Sequence, residues 1–236
     1  MLSANMLGRL GNNLFQVAAI TALADEYSDI VSVNWKDSPY FNFDSRTDFE
    51  EEFRYKEPHF HYKKLPYYKN MIIDGYFQSE KYFGNCKDEI RRIFSPSPLV
   101  KLHDVDYEGS ASIHVRRGDY VTLSHFHPPQ SVIYYEQAIS VIDDKVKNIY
   151  VFSDDMEWCK KNLNHPKLHF LSGDMYSDFF SMAKCEHNII SNSSFSWWTA
   201  WLNSNPEKVI VAPRQWFGIA YKHNTKDLYC DNWMVI

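Results

Sequence analysis

Between residues 111 and 212, short β-prone runs alternate with helix-patterned segments, and nothing else in this 236-residue chain restricts its fold as strongly. Ala111–Arg116, Asn148–Phe152, Leu168–Leu171, Asn188–Ser191 and Lys208–Ala212 read as strands. Ser131–Ile142 reads as a helix, with Val132, Tyr135, Ile139 and Ile142 at three-to-four spacing. Further helices are expected after Ser153-Asp154-Asp155, over Tyr176–Cys185 and over Phe195–Leu202. Strands separated by helices need crossover connections, which predicts a parallel, Rossmann-like sheet. In open sheets of this kind ligands bind beyond the carboxyl ends of the strands. The residues just after each strand are therefore where function is sought.

The first part of the chain is less regular. Asn12–Glu26 reads as a helix, Ile30–Trp35 and Met71–Asp74 as strands, and Cys86–Phe94 as a helix. Asp37 to Tyr68, rich in aromatics, His and Pro, carries no pattern that assigns it. Ser95-Pro96-Ser97-Pro98 is the expected boundary between two lobes, 1–98 and 99–236.

Composition excludes some functions. A net charge of −5 argues against nucleic acid as a partner, because such binders present a basic face. No stretch reaches the roughly 20 apolar residues of a membrane span, so no integral membrane segment is expected. Arg9, Asn12, Asn13 and Gln16 interrupt any signal-peptide core. Cys86, Cys159, Cys185 and Cys230 show no paired spacing and read as reduced thiols. A cytoplasmic location follows as the expectation. Aromatic faces suit sugar stacking, but most are expected in the core.

His114-Val115-Arg116-Arg117-Gly118-Asp119-Tyr120 runs through the C-terminal end of the strand that begins at Ala111. A guanidinium there offers a planar fork of donors that matches a phosphate; the alternative is a surface Arg–Asp cluster. Asn192-Ser193-Ser194-Phe195-Ser196-Trp197-Trp198 lies between a strand and a helix. Its hydroxyls and N–H groups suit a diphosphate, and Ser193 or Ser194 also suits an N-cap. Gly8-Arg9-Leu10-Gly11-Asn12-Asn13 opens a helix without matching a dinucleotide or P-loop pattern. Asp178 begins a helix, where a carboxylate can take the two adjacent N–H donors of guanine or stabilise the helix dipole. Asp154 and Asp155 can hold a metal or cap a helix, and their adjacency favours the cap. His59-Phe60-His61 and His125-Phe126-His127 read as ordinary loop histidines rather than metal ligands, so no metal and no cofactor are expected.

Three blocks, Gly8–Gln16, His114–Tyr120 and Ser191–Leu202, together resemble the α-1,2-fucosyltransferases of glycosyltransferase family eleven and their α-1,6- and O-fucosyltransferase relatives. The resemblance implies a GT-B fold, two Rossmann-like lobes with the donor in the cleft. It implies a GDP-β-L-fucose donor, a glycan acceptor such as the 2-OH of a galactoside, and transfer with inversion. It places Arg116 on the donor phosphate with Arg117 nearby, His114 near the nucleoside, Ser193, Ser194 and Phe195 at the diphosphate, and Asp178 on guanine. Gly11 and Asn12 would line the cleft. The first lobe is short for the family. A glutamate proposed as catalytic base in some relatives has no counterpart, Ser124 falling near its place. Asp119 and His125 remain the candidate bases. The rival readings are a transferase of the same fold with another nucleotide sugar, and a non-catalytic glycan-binding protein.

Overall fold

A computed structural model describes residues 1–236. The chain divides into two compact units, Met1–Leu99 with His223–Cys230, and Val100–Lys222 with Asp231–Ile236.

In the first unit, strand β1 (Leu2–Ala4) leads into helix α1 (Leu10–Glu26); β2 (Phe53–Lys56), β3 (Met71–Asp74) and helix α2 (Lys87–Ile93) follow. The strands form a parallel sheet in the order β1-β3-β2. Helix α1 buries Leu14, Phe15, Val17, Ala18, Ala19 and Ile20 in succession, so it is core on nearly every side. Edge strand β2 is charged and largely exposed, which discourages pairing with another chain. The expected strand over Ile30–Trp35 does not form. Only Val31 bridges to Leu2. Beyond it the Val33 carbonyl accepts from Arg46 N at 3.2 Å and Ser45 Oγ at 2.7 Å, while Trp35 N donates to Ser45 Oγ at 3.0 Å. A neighbouring loop thus takes the hydrogen bonds a sheet would have used. Aromatics around the unassigned segment are core: the Trp35 ring lies 4.8 Å from Phe41 and 6.0 Å from Phe94.

The second unit contains β4 (Ser110–Val115), α3 (Gly118–Thr122), α4 (Val132–Ile142), β5 (Asn148–Ser153), α5 (Met156–Asn162), β6 (Leu168–Phe170), α6 (Met175–Lys184), β7 (His187–Ile189), α7 (Ser194–Leu202), β8 (Ile210–Ala212) and β9 (Met234–Val235). All six strands are parallel, in the order β6-β5-β4-β7-β8-β9. Counted from β4, this is the 3-2-1-4-5-6 order of dinucleotide-binding sheets. The winding direction reverses between β4 and β7, and a crevice opens at such a point beyond the carboxyl ends.

Strand β4 is buried along its whole length, as a central parallel strand should be. Ala111, Ile113 and Val115 pack with Tyr135, Ile139 and Ile142 of α4 on one face. Ser110, Ser112 and His114 occupy the other. Their polarity is satisfied: Ser110 Oγ donates to Tyr107 O at 2.6 Å, and Asn188 Nδ2 donates to Ser112 Oγ at 2.8 Å. Asn188 also donates to Met182 O and accepts from Asn203 Nδ2, both at 2.8 Å, tying β4, α6, β7 and the end of α7 together.

Candidate functional site

Strand β4 carries His114–Tyr120 to the carboxyl end of the sheet beside β7. The Arg116 side chain, 19% exposed, donates from Nη2 to Asp119 Oδ1 at 2.5 Å and from Nη1 to Asp154 Oδ2 at 2.7 Å. Its guanidinium carbon lies 5.2 Å from the Tyr120 ring centroid. Arg117 is held elsewhere. Its Nε donates to Asp155 Oδ2 at 3.0 Å, and its guanidinium stacks 4.1 Å over Trp158. The Arg117 backbone N–H donates to Asp154 Oδ1 at 2.8 Å. A Cβ on Gly118 would sit 2.6 Å from Asp154 Oδ2, so glycine is what lets that carboxylate reach Arg116. The aspartate pair expected as a helix cap thus has two roles. Asp155 caps α5 by accepting from Trp158 N at 3.2 Å and holds the Arg117 side chain, whereas Asp154 holds the Arg116 side chain and the Arg117 backbone N–H. Two cations facing three carboxylates leave the cluster with a formal charge of −1.

His114 lies one residue inside the strand end. Its Nδ1 is 2.8 Å from Ser191 Oγ, and its ring is 5.4 Å from Phe195. Burial, assisted by the Arg116 charge, pushes the imidazole down to about 3, so it is neutral at pH 7. His114 offers shape and hydrogen bonding, not charge.

The loop after β7 faces the same switch point. Ser193 is the N-cap residue of α7 by position, but its side chain makes no cap hydrogen bond; Ser193 N donates to Ser191 O at 2.8 Å. By contrast, Ser131, Asp155 and Asp174 cap α4, α5 and α6 through their side chains. An uncapped N-terminus at the carboxyl end of a sheet suits an anion. Ser194 and Phe195 form its first turn, with Phe195 packed 5.2 Å from Phe179. Buried Asn192 donates from Nδ2 to Pro128 O and Trp216 O, both at 3.0 Å, and its backbone carbonyl accepts from Tyr120 Oη at 3.2 Å. Its amide therefore fixes the loops, which removes it as a glycosylation acceptor.

Asp178 sits in the first turn of α6, and Asp174, not Asp178, caps that helix. Its Oδ1 accepts from His103 Nε2 at 2.7 Å. Burial raises its carboxyl above the usual range, opposed by that hydrogen bond. No spacing rule pairs residues 75 positions apart, so sequence reasoning missed His103. The candidate base Asp119 is paired with Arg116, and His125 is exposed on the loop after α3.

Gly11 and Asn12 belong to the first unit, where they open α1. Gly11 is buried in the helix. Asn12 Oδ1 accepts from Gln78 Nε2 at 2.8 Å. Gly8 has φ +78°, and a Cβ there would meet Asn12 Nδ2 at 2.3 Å, so both backbone and space require glycine. Asn13 and Gln16 hold the loop: Asn13 Nδ2 donates to Leu7 O at 3.0 Å, and Gln16 Nε2 to Gly75 O at 2.8 Å. His59 and His61 stack on each other at 3.6 Å.

The model of the family described as glycosyl transferase family 11 matches residues 1–236. The chain belongs to glycosyl transferase family 11. It is 42% identical over 191 residues to the O-antigen biosynthesis glycosyltransferase WbnK of Escherichia coli, covering 72% of this chain and 62% of that protein. An Escherichia coli alpha-1,2-colitosyltransferase is 36% identical over 159 residues (61% and 55%). A Caenorhabditis elegans galactoside 2-alpha-L-fucosyltransferase is 27% identical over 188 residues (70% and 52%). The chain thus spans 52% to 62% of the length of these relatives. Among solved structures, NodZ alpha-1,6-fucosyltransferase soaked with GDP-fucose superposes with a TM-score of 0.57 at 14% identity, covering 87% of this chain and 96% of that one. The fold is GT-B type, α/β with parallel sheets, as the sequence led us to expect. No helix is long and apolar enough to cross a membrane.

Proposed function

We propose that the protein is an inverting fucosyltransferase that moves L-fucose from GDP-β-L-fucose to a glycan hydroxyl, the 2-OH of a galactoside. The observation that carries this reading is Arg116 at the switch point of a 3-2-1-4-5-6 sheet whose neighbouring helix α7 lacks a side-chain cap. In this reading the β-phosphate takes the Arg116 fork. Asp119 is the partner it displaces, because that carboxylate is the more exposed of the two, 36% against 28% for Asp154. The phosphate replaces one anion on the fork with another, so the guanidinium keeps a charge-assisted partner. Asp154 keeps the guanidinium aimed, and the first turn of α7 with Ser193, Ser194 and Phe195 meets the remaining diphosphate charge. Asp178 reads guanine, His114 packs neutral beside the nucleoside, and Gly11 and Asn12 act on the acceptor side.

The acceptor oxygen attacks the anomeric carbon as the bond to the β-phosphate oxygen breaks. GDP leaves with that electron pair, and the hydroxyl proton passes to a base. Asp119, released when Arg116 turns to phosphate, is the proposed base. Charge grows on the β-phosphate in the transition state, where fixed donors act most strongly.

A colitosyl donor is the second reading, favoured by the 36% identity to an alpha-1,2-colitosyltransferase. A transfer assay with GDP-fucose and GDP-colitose on a panel of galactosides, with the product linkage read by NMR, tests both. Formation of an α-1,2-fucoside is the expected result. Turnover of GDP-colitose alone would replace the donor assignment. GDP binding without transfer to any glycan would reduce the protein to a binding module.

A further inference from the structure

We propose that His103 is a positioning residue for nucleobase recognition, holding the Asp178 carboxylate in the one orientation that meets both edge donors of guanine. The inference rests on the reading of Asp178 as the guanine contact. His103 lies in the segment before β4, far from Asp178 in sequence, and is fixed there at four points. Its backbone N–H donates to Ser181 Oγ at 3.0 Å, and its carbonyl accepts from Tyr107 Oη at 2.9 Å. Its ring lies 5.7 Å from Phe152 at the end of β5, and Nε2 donates to Asp178 Oδ1 at 2.7 Å. Ser181 and Asp178 are three residues apart on α6, so the backbone and ring of His103 grip one face of that helix. Neither side chain is exposed beyond 19%.

Space around the pair is equally specific. A Cβ at Gly173 would lie 2.8 Å from His103 Cε1 and 3.1 Å from Asp178 Oδ1. Any larger residue there would force the imidazole and carboxylate apart. Gly173 has no positive φ, so its role is room rather than backbone freedom.

The physical need is clear from the carboxylate itself. Rotation about the last torsion of an aspartate is soft. Guanine presents N1–H and one N2–H side by side, and both are met only if the two carboxylate oxygens lie in the plane of the base. With Oδ1 anchored by His103, Oδ2 and the remaining lone pair of Oδ1 keep a fixed direction. The imidazole N–H also favours the ionised carboxylate, which accepts, over the protonated form that burial alone would promote. Preorganisation of this kind raises affinity by removing the cost of ordering.

Calorimetric titration with GDP and with IDP, which lacks the 2-amino group, tests the proposal. His103→Ala should reduce the GDP-over-IDP preference about tenfold, the loss of one oriented hydrogen bond. His103→Gln, which can still donate to Oδ1, should restore part of it, a rescue that lost packing alone would not give. Gly173→Ala keeps both His103 and Asp178 but forces their side chains apart, so it should erode the preference as well. An unchanged preference in His103→Ala or, if that variant does not fold, in Gly173→Ala overturns the proposal when Asp178→Asn has lost the preference. If Asp178→Asn itself discriminates as well as wild type, the guanine reading fails and the role of His103 fails with it.

Discussion

At the scale of single residues, the two partners of Arg116 show what a lysine in its place would lack. One fork engages Asp119 and Asp154 through separate nitrogens, and the same fork is proposed to span a phosphate. An ammonium supplies charge without that geometry. Arg116→Lys should lower kcat/KM for the donor on the order of 10²–10³-fold, the scale of losing one oxyanion donor. Kinetics near wild type in a folded variant would remove Arg116 from the phosphate. His114 makes a separate prediction. Its folded pKa of about 3 lies below the ordinary histidine value of 6.5, so the unfolded chain binds the extra proton. Stability is therefore fully present above pH 6.5 and falls as pH drops from 6.5 towards 3. His114→Gln should flatten that part of the pH profile of the urea midpoint. Parallel profiles for variant and wild type would show that His114 is not buried in its neutral form.

At the scale of elements, Asn188 shows how the switch point is held rigid. Removing its amide leaves the Met182 carbonyl and Ser112 hydroxyl short of a partner inside the sheet. Asn188→Ala should cost roughly 1–3 kcal/mol in urea unfolding; a change within error would mean water replaces the amide. Asp154 and Asp155 are engaged by Arg116 and Arg117, and the groups proposed to meet a diphosphate are the Arg116 fork and the first turn of α7. Transfer should persist in excess EDTA, and complete loss restored by Mn²⁺ would make those aspartates metal ligands. Elements with strong periodic patterns were legible in the sequence: the helix over 132–142 and the strands around 113, 151 and 189 match within a few residues. Strand β9, of two residues, is too short to carry a pattern. Ile30–Trp35 has strand composition, but a loop captured its hydrogen bonds. Arg116 was legible because strand-end chemistry is local, whereas His103 and the aim of Asp154 depend on contacts the chain makes only once folded.

At the scale of the whole molecule, the residues proposed to contact the nucleotide, Arg116, His114, Asp178 and Ser193–Phe195, all lie in the second unit. Nucleotide binding should therefore be a property of this chain even though it spans only 52% to 62% of the length of its relatives. The net charge of −5 gives diphosphates no general attraction, so any affinity must come from specific donors. A ligand that binds only the folded state raises stability as RT ln(1 + [L]/Kd), so the effect grows with concentration. Thermal melting of the chain against increasing GDP, with UDP and ADP in parallel, tests this most directly. The midpoint should climb steadily with GDP and respond far less to UDP or ADP. A midpoint that ignores GDP at millimolar concentration, or rises equally with all three nucleotides, would contradict a guanine-specific donor site.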